Sequence, residues 1–176
     1  EWRRDNINRM VQQVADSIRS VKDHVKFGIS PFGIWKSGVP SWVSGMNAYT
    51  TIYADALAWI EDRSVDYMTP QTYWQITMNR FNRSTAQDFV GLTNWWADQV
   101  GDIHLYTGMG AYRADSRTFS GNTFSTTEMP QQVEHVQSQA DILGSVFFRA
   151  DNLSQHPTKG LADSLKNNYY KYPALP

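Results

Sequence analysis
Three groups of polar and aromatic residues in this 176-residue chain stand where side chains can reach a ligand. Gln71, Tyr73 and Trp74 come at the end of the run Val65 to Gln71; Tyr112 and Arg113 follow Ile103 to Met109; Ser30 and Trp35 follow Val25 to Ile29. A glutamine amide both donates and accepts hydrogen bonds, tyrosine adds a hydroxyl, and arginine presents a fork that fits a carboxylate. Aromatic rings add flat apolar faces. Together these residue types suit a flat, hydroxyl-bearing ligand such as a sugar, with Trp35 as a stacking platform. Arg113 either holds a ligand carboxylate or pairs with Asp115, and the residues alone leave both open.

Cleaving a glycosidic bond takes two carboxyls facing each other across the sugar, about 5–5.5 Å apart for retention or about 6.5–9.5 Å for inversion. The chain offers no convincing pair. Asp115 and Asp151 follow strands but read as solvated loop charges, and Asp66 begins its strand, at the end of a barrel that serves stability. The catalytic residues are therefore unknown at this level. The four histidines, His24, His104, His135 and His156, lack paired helical spacing, and there is no cysteine, so neither a metal site nor a cofactor is expected. Gly28 to Gly33 lacks the spacing of a nucleophile elbow, and Gly108-Met109-Gly110 lacks the third glycine of a dinucleotide loop.

The elements that position these groups follow from hydrophobic period. Ile7, Met10, Val11, Val14, Ile18 and Val21 recur at helical steps, predicting a helix from Asp5 to His24 with Asp5 as its cap. Strands are expected at Val25 to Ser30, Val65 to Gln71, Ile103 to Met109 and Gly144 to Phe148. Helices are expected at Tyr49 to Asp62, from Ser84 with Gln87 completing a capping box, from Thr127 with Pro130 in the first turn, and around Leu161, Leu165 and Tyr169. Between them lie the Gly/Ser/Pro-rich loop Trp35 to Gly45, which carries Trp35 and Trp42, and the polar loop Ser116 to Thr126. One helix followed by four strand–helix units implies an α/β fold with a parallel sheet. Four units are half of a (β/α)8 TIM barrel. The competing reading is a free-standing open α/β sheet.

Composition sets the outer bounds. Hydrophobic residues make up 41% and charged residues 19%, as in an ordinary globular domain, and the length suits one. A net charge of −1 advertises no nucleic-acid partner, and no apolar run is long enough to span a bilayer. The chain starts at Glu1 without a methionine, which reads as a cut inside a longer protein.

Several stretches, taken together, resemble the bacterial glycosyl-hydrolase-like family 10, barrel proteins grouped with glycosidases. They are Trp2-Arg3-Arg4-Asp5-Asn6-Ile7, Val25 through Trp35, Val65-Asp66-Tyr67 with Pro70 to Trp74, Trp95 to Gln99, Tyr106 with Gly110 to Arg113, Gly144 to Phe148, and Tyr169 to Leu175. The resemblance implies the carboxyl-terminal half of the barrel, strands five to eight. It also implies a secreted or lipid-anchored bacterial protein acting on a polysaccharide, cell-wall glycan among the candidates. The family's Asp-Asp segment, the natural place for the catalytic acids, would precede Glu1, so this segment alone would be inactive. Ser30, Trp35, Gln71, Tyr73, Trp74, Tyr112 and Arg113 would then be substrate contacts. The alternative is a non-catalytic carbohydrate-binding or structural module. A half barrel would also leave an apolar face uncovered, and self-association is expected.

Overall fold
The computed structural model describes residues 1–76, 88–115, 123–154 and 159–172. In chain order the elements are α1 (Trp2–Val21), β1 (Gly28–Ile29), α2 (Ala48–Thr51), α3 (Ala56–Glu61), β2 (Tyr67–Met68), α4 (Phe89–Val100) and β3 (His104–Met109). A 3-10 turn (Ala111–Ala114) follows, then α5 (Glu128–Ser138), β4 (Gly144–Phe147), α6 (Ala150–Ser154) and α7 (Leu161–Ser164), which runs on as a π-helical turn over Leu165–Tyr169.

The strands form one parallel sheet in the order β1-β2-β3-β4. Each pairs with its neighbour in sequence, and the order never reverses. Right-handed crossovers then carry every connecting helix to the same face of the sheet. That is a barrel wall; in a doubly wound sheet the order reverses and helices cover both faces. The chain is thus α/β and half of a TIM barrel, and the strand order sets aside the open-sheet alternative.

The two faces differ accordingly. Met68, Leu105 and Met109 point to the helix side and are fully buried, in one cluster with Phe89 and Trp96 of α4 and Met129, Val133 and Val136 of α5. Trp96 brings a polar atom into that core, and its indole N–H is satisfied by the Gly33 carbonyl at 2.9 Å. The register Gly28↔Tyr67↔His104 and Tyr106↔Gly144 puts the alternate residues on the inner face. There the Tyr67 ring lies across Gly28, where a Cβ would come within 2.3 Å of it. Val146 and Phe148, on the same face, are about half exposed.

Several boundaries differ from expectation. Helix α1 begins at Trp2, with Asp5 already inside the first turn and its N–H on the Glu1 carbonyl, and it stops at Val21. Only Val11 and Ala15 are buried along it, while Met10, Val14 and Val21 make an exposed stripe. Its covered flank docks on α3, where the Trp59 indole donates to Asn8 at 2.8 Å and Ser64 to Gln12 at 2.6 Å. The expected helix from Tyr49 to Asp62 is two, because Tyr53 takes a left-handed φ of 59°. Asn47 caps the first piece and Asp55 the second, each accepting a backbone N–H three residues on. The regular ladders of β1 and β2 are two residues long, extended by the bridges Phe32↔Gln71↔Gly108. Helix α4 is capped by Asp88, whose carboxylate accepts the Gly91 N–H at 2.6 Å. The expected Ser84–Gln87 capping box lies outside the described residues. Thr127 precedes α5 without a side-chain capping bond.

Where α5 crosses α4, the His135 ring meets Phe89 edge-on, and its Nε2 stands 3.3 Å from the Thr93 hydroxyl. Burial holds its pKa below the usual 6.5, with the Asp88 carboxylate opposing. The folded state therefore favours neutral imidazole. Its contribution to stability is present above pH 6.5 and is lost as pH falls through the lowered folded value. Thermal melts should show Tm declining as pH falls from 6.5 towards the lowered folded value, and a shallower decline in His135→Gln.

Candidate functional site
The rim at the carboxyl ends of the strands is assembled by backbone convergence. The Gln71 N–H donates to the Pro31 carbonyl at 2.9 Å, and both the Thr72 N–H and its hydroxyl donate to the Gly108 carbonyl at 3.0 Å. Three strand ends meet at these two residues. Gly108 permits it, because a Cβ there would sit 2.6 Å from the Pro70 carbonyl oxygen. The Gln71 side chain reinforces the join through its amide N–H on the Ser30 carbonyl at 3.0 Å.

Above the join stands an aromatic triad. The Tyr73 ring stacks on Phe148 at 6.0 Å and meets Tyr112 edge-on at 5.9 Å, and Tyr112 meets Phe148 edge-on at 6.4 Å. The segment carrying Tyr73 is held from beside and below. Arg113 donates to the Tyr73 carbonyl, Gln132 to the Trp74 carbonyl at 2.9 Å, and the Ile76 N–H donates to Glu128. Gln132 also donates to Glu128 at 2.7 Å, so one turn of α5 clamps the loop after β2. The Arg113 guanidinium lies 5.0 Å over the Phe124 ring.

The rim opens into a cavity of about 310 Å³ whose lining includes Ser30, Tyr67, Thr69, Tyr73, Gly108 and Phe148. A larger cavity of about 630 Å³ lies at the other end of the same inner face, beside Lys26, Asp66, Tyr67, His104 and Tyr106. That end carries the strand starts, and its charges are occupied structurally. Asp66 accepts the Phe27 N–H at 2.8 Å and faces Lys26 at 3.9 Å, and Arg63 pairs with Asp102 at 2.9 Å. Size alone would choose the larger cavity, but barrel chemistry sits where the strands end. The smaller cavity is the candidate.

Of the residues singled out from sequence, the structure brings Ser30, Gln71, Tyr73, Tyr112 and Arg113 to one rim. Trp74 begins there, but its ring turns outward over Gly33 and packs on Ile34, Val43 and Leu92. Trp35 is elsewhere: its ring stacks with Trp95 at 6.4 Å, meets Tyr49 edge-on at 5.4 Å, and donates to Asp55 at 3.2 Å. Asp115, expected to be a solvated loop charge, is buried at 6% exposure because the 3-10 turn folds it back, its N–H on the Tyr112 carbonyl. Asp151 pairs with Arg149 at 2.8 Å. Among the described residues no group of three or more His, Asp and Glu stands close enough to hold a metal ion.

Sequence reasoning missed Phe148, Glu128 and Gln132. Phe148 closes an apolar strand and carries no polar mark. Glu128 and Gln132 did leave a signal, being polar residues one helical turn apart on the face that also carries Met129, Val133 and Val136.

Burial, and then the neighbouring Tyr112, raise the Tyr73 phenol above its usual pKa of 10.0. Tyr73 thus stays a hydrogen-bond donor well into alkaline solution. Its contribution to stability persists below pH 10 and is lost as pH rises through the raised folded value. Absorption titration should find two phenols ionising late, Tyr73 and the Glu134-bonded Tyr169. Tyr112→Phe should move Tyr73 alone and only part of the way back, since burial is the larger cause.

The profile of a family described as glycosyl hydrolase-like 10 matches residues 1–125. Among curated relatives, a glycosyl hydrolase of Bacillus subtilis (strain 168) named YngK is 35% identical over 182 residues, covering 99% of this chain and 34% of the relative. A glycosyl hydrolase of Escherichia coli (strain K12) named DigH is 31% identical over 179 residues, covering 96% of this chain and 39% of the relative. The chain thus spans between a third and two-fifths of the length of these relatives.

Proposed function
The chain belongs to the glycosyl hydrolase-like 10 family, and we propose that it forms one wall of the glycan groove of a polysaccharide-cleaving barrel. The observation that carries this reading is the rim itself. A hydroxyl-rich ligand meets the Tyr73–Tyr112–Phe148 triad at the mouth of the 310 Å³ cavity, with the Gln71 amide and Ser30 beside it. Sugars need both components, apolar ring faces for their CH surfaces and paired donors and acceptors for their hydroxyls. Tyr73, kept protonated, donates. Gln71 uses its N–H on Ser30 and keeps its amide oxygen to accept. Arg113 already holds the Tyr73 carbonyl, so its first task is to fix the platform, with a sugar carboxylate as a second.

General acid/base cleavage requires a carboxyl pair. The carboxylates near this end serve the fold: Asp55 and Asp88 cap helices, Glu128 clamps the β2 loop, Asp151 pairs with Arg149, and Asp115 is folded back and buried by the 3-10 turn. The proposed acid and its partner carboxylate therefore come from residues outside these 176. Bacterial cell-wall glycan is the favoured substrate, and an extracytoplasmic location goes with it, because that polymer lies outside the cytoplasm. In the full-length protein, Gln71→Ala with Tyr73→Phe should lower kcat/KM on glycan strands roughly tenfold, as expected for two lost hydrogen bonds of about 0.5–1.5 kcal/mol each. Unchanged turnover would remove both residues from the site. Binding without turnover by the full-length protein would favour a non-catalytic carbohydrate-binding module.

Taken alone, these residues leave two apolar surfaces open, the inner face at Val146 and Phe148 and the α1 stripe at Met10, Val14 and Val21. We propose that the isolated segment self-associates through them. Sedimentation should find dimers or larger species that dissociate when Val146 and Phe148 are replaced by serine. A monomer at high concentration would exclude this.

A further inference from the structure
The loop after β1 carries two tryptophans in opposite settings. Trp35 is half-buried and held by Tyr49, Trp95 and Asp55, whereas Trp42 keeps 39% of its surface exposed. Exposed tryptophans are often incidental, but this one has a built seat. It lies on Gly91 in the first turn of α4, where a Cβ would come within 2.7 Å of the ring. Any larger residue at 91 would push the ring off the helix. The loop beneath it is closed on itself, with the Gly38 N–H on the Val43 carbonyl at 2.8 Å, Val39 on Lys36 at 3.0 Å and Val43 on Pro40 at 2.9 Å. Val43, next in sequence, is 2% exposed and anchored against Ile34 and Leu92, the same cluster that receives the Trp74 ring. The position of Trp42 is thus fixed by Gly91 and by the closed loop, while 39% of its surface stays open to solvent.

Both loops involved leave the carboxyl ends of their strands, so Trp42 sits at the same end of the barrel as Tyr73. The shared cluster links them, since Trp74 follows Tyr73 directly and packs on the residue next to Trp42. Ser41 and Ser44 lie on either side of Trp42 in sequence. We propose that Trp42 is the floor of an outer sugar subsite, stacking on a pyranose ring of a glycan chain that runs outward from the central rim. The assignment rests on the glycan-binding reading above and names which part of the chain it adds: a residue beyond those held by Tyr73 and Gln71. Gly91 is a positioning residue that acts through Trp42.

The test uses the full-length protein and a ladder of glycan oligomers from the shortest one cleaved upward. Trp42→Ala should lower the ratio of kcat/KM for long over short oligomers about tenfold, the scale of one lost aromatic contact. Trp42→Phe should recover part of that ratio, and Gly91→Ala should reproduce part of its loss. Tryptophan fluorescence should respond to long oligomers in the parent protein and respond less in Trp42→Phe, a readout that does not depend on turnover. A length ratio unchanged by Trp42→Ala, or a fluorescence response unchanged by Trp42→Phe, would overturn the subsite. If short oligomers depend on Gln71 and Tyr73 while no length depends on Trp42, the central reading stands and only the outer subsite fails. If no oligomer depends on Gln71 and Tyr73, the central reading fails.

Discussion
Gln71 and Thr72 tie three strand ends into one rim. Their backbone N–H groups reach Pro31 on one side and Gly108 on the other, and their side chains reach Ser30 and Gly108. With only two-residue ladders in β1 and β2, these bonds carry much of the pairing at the mouth of the sheet. Parallel strands cannot be held by hairpin turns, so their register depends on such crossings and on the helices behind them. The position of Tyr73 follows directly, because it is the next residue after the tie and is held again by Arg113. At Gln71 the amide that joins the strands is the same group proposed to contact the ligand.

Behind the rim the division of labour is by face. The helix side is dry and close-packed, with Trp96, Phe89, Met68, Leu105 and Met109 in one buried cluster. The inner side carries tyrosines, a histidine and glycines, with rings lying flat where the neighbouring strand has no side chain. In a closed barrel the interior is filled by layers of side chains, and rings set against glycines can interdigitate there. Even the polar residues that enter the helix layer, Glu128 and Gln132, do so to fix the loop after β2. Buried amides and carboxylates are retained where they are hydrogen-bonded, and here their partners are the backbone of the site.

Much of the architecture was legible in the chain. Alternation of apolar runs with helical stripes implied a parallel sheet, and the four strands occur where β-branched and aromatic runs predicted them. The polar residues following those strands marked the rim, because Gln71, Tyr73, Tyr112 and Arg113 interrupt apolar patterns at strand ends. Legibility failed where a residue's role depends on what lies across from it. The break at Tyr53 is a backbone conformation that helical periodicity cannot register. The helix cap at Asp88 is settled by local geometry, and Asp115 is buried by a turn that the polar loop composition did not suggest.

The two tryptophans of the first loop mark the limit. Sequence placed both in a loop at the working end of a barrel and singled out Trp35 as a stacking platform, on nothing more than its nearness to the strand. Tertiary packing holds Trp35 against Tyr49, Trp95 and Asp55 and seats Trp42 on a glycine with 39% of its surface exposed. Local pattern determines period, and so it fixed the order of strands and helices and the end of the barrel at which chemistry belongs. Which face of a given ring is covered is decided by residues tens of positions away, Asp55, Gly91 and Trp95 among them, and no local pattern encodes that distance.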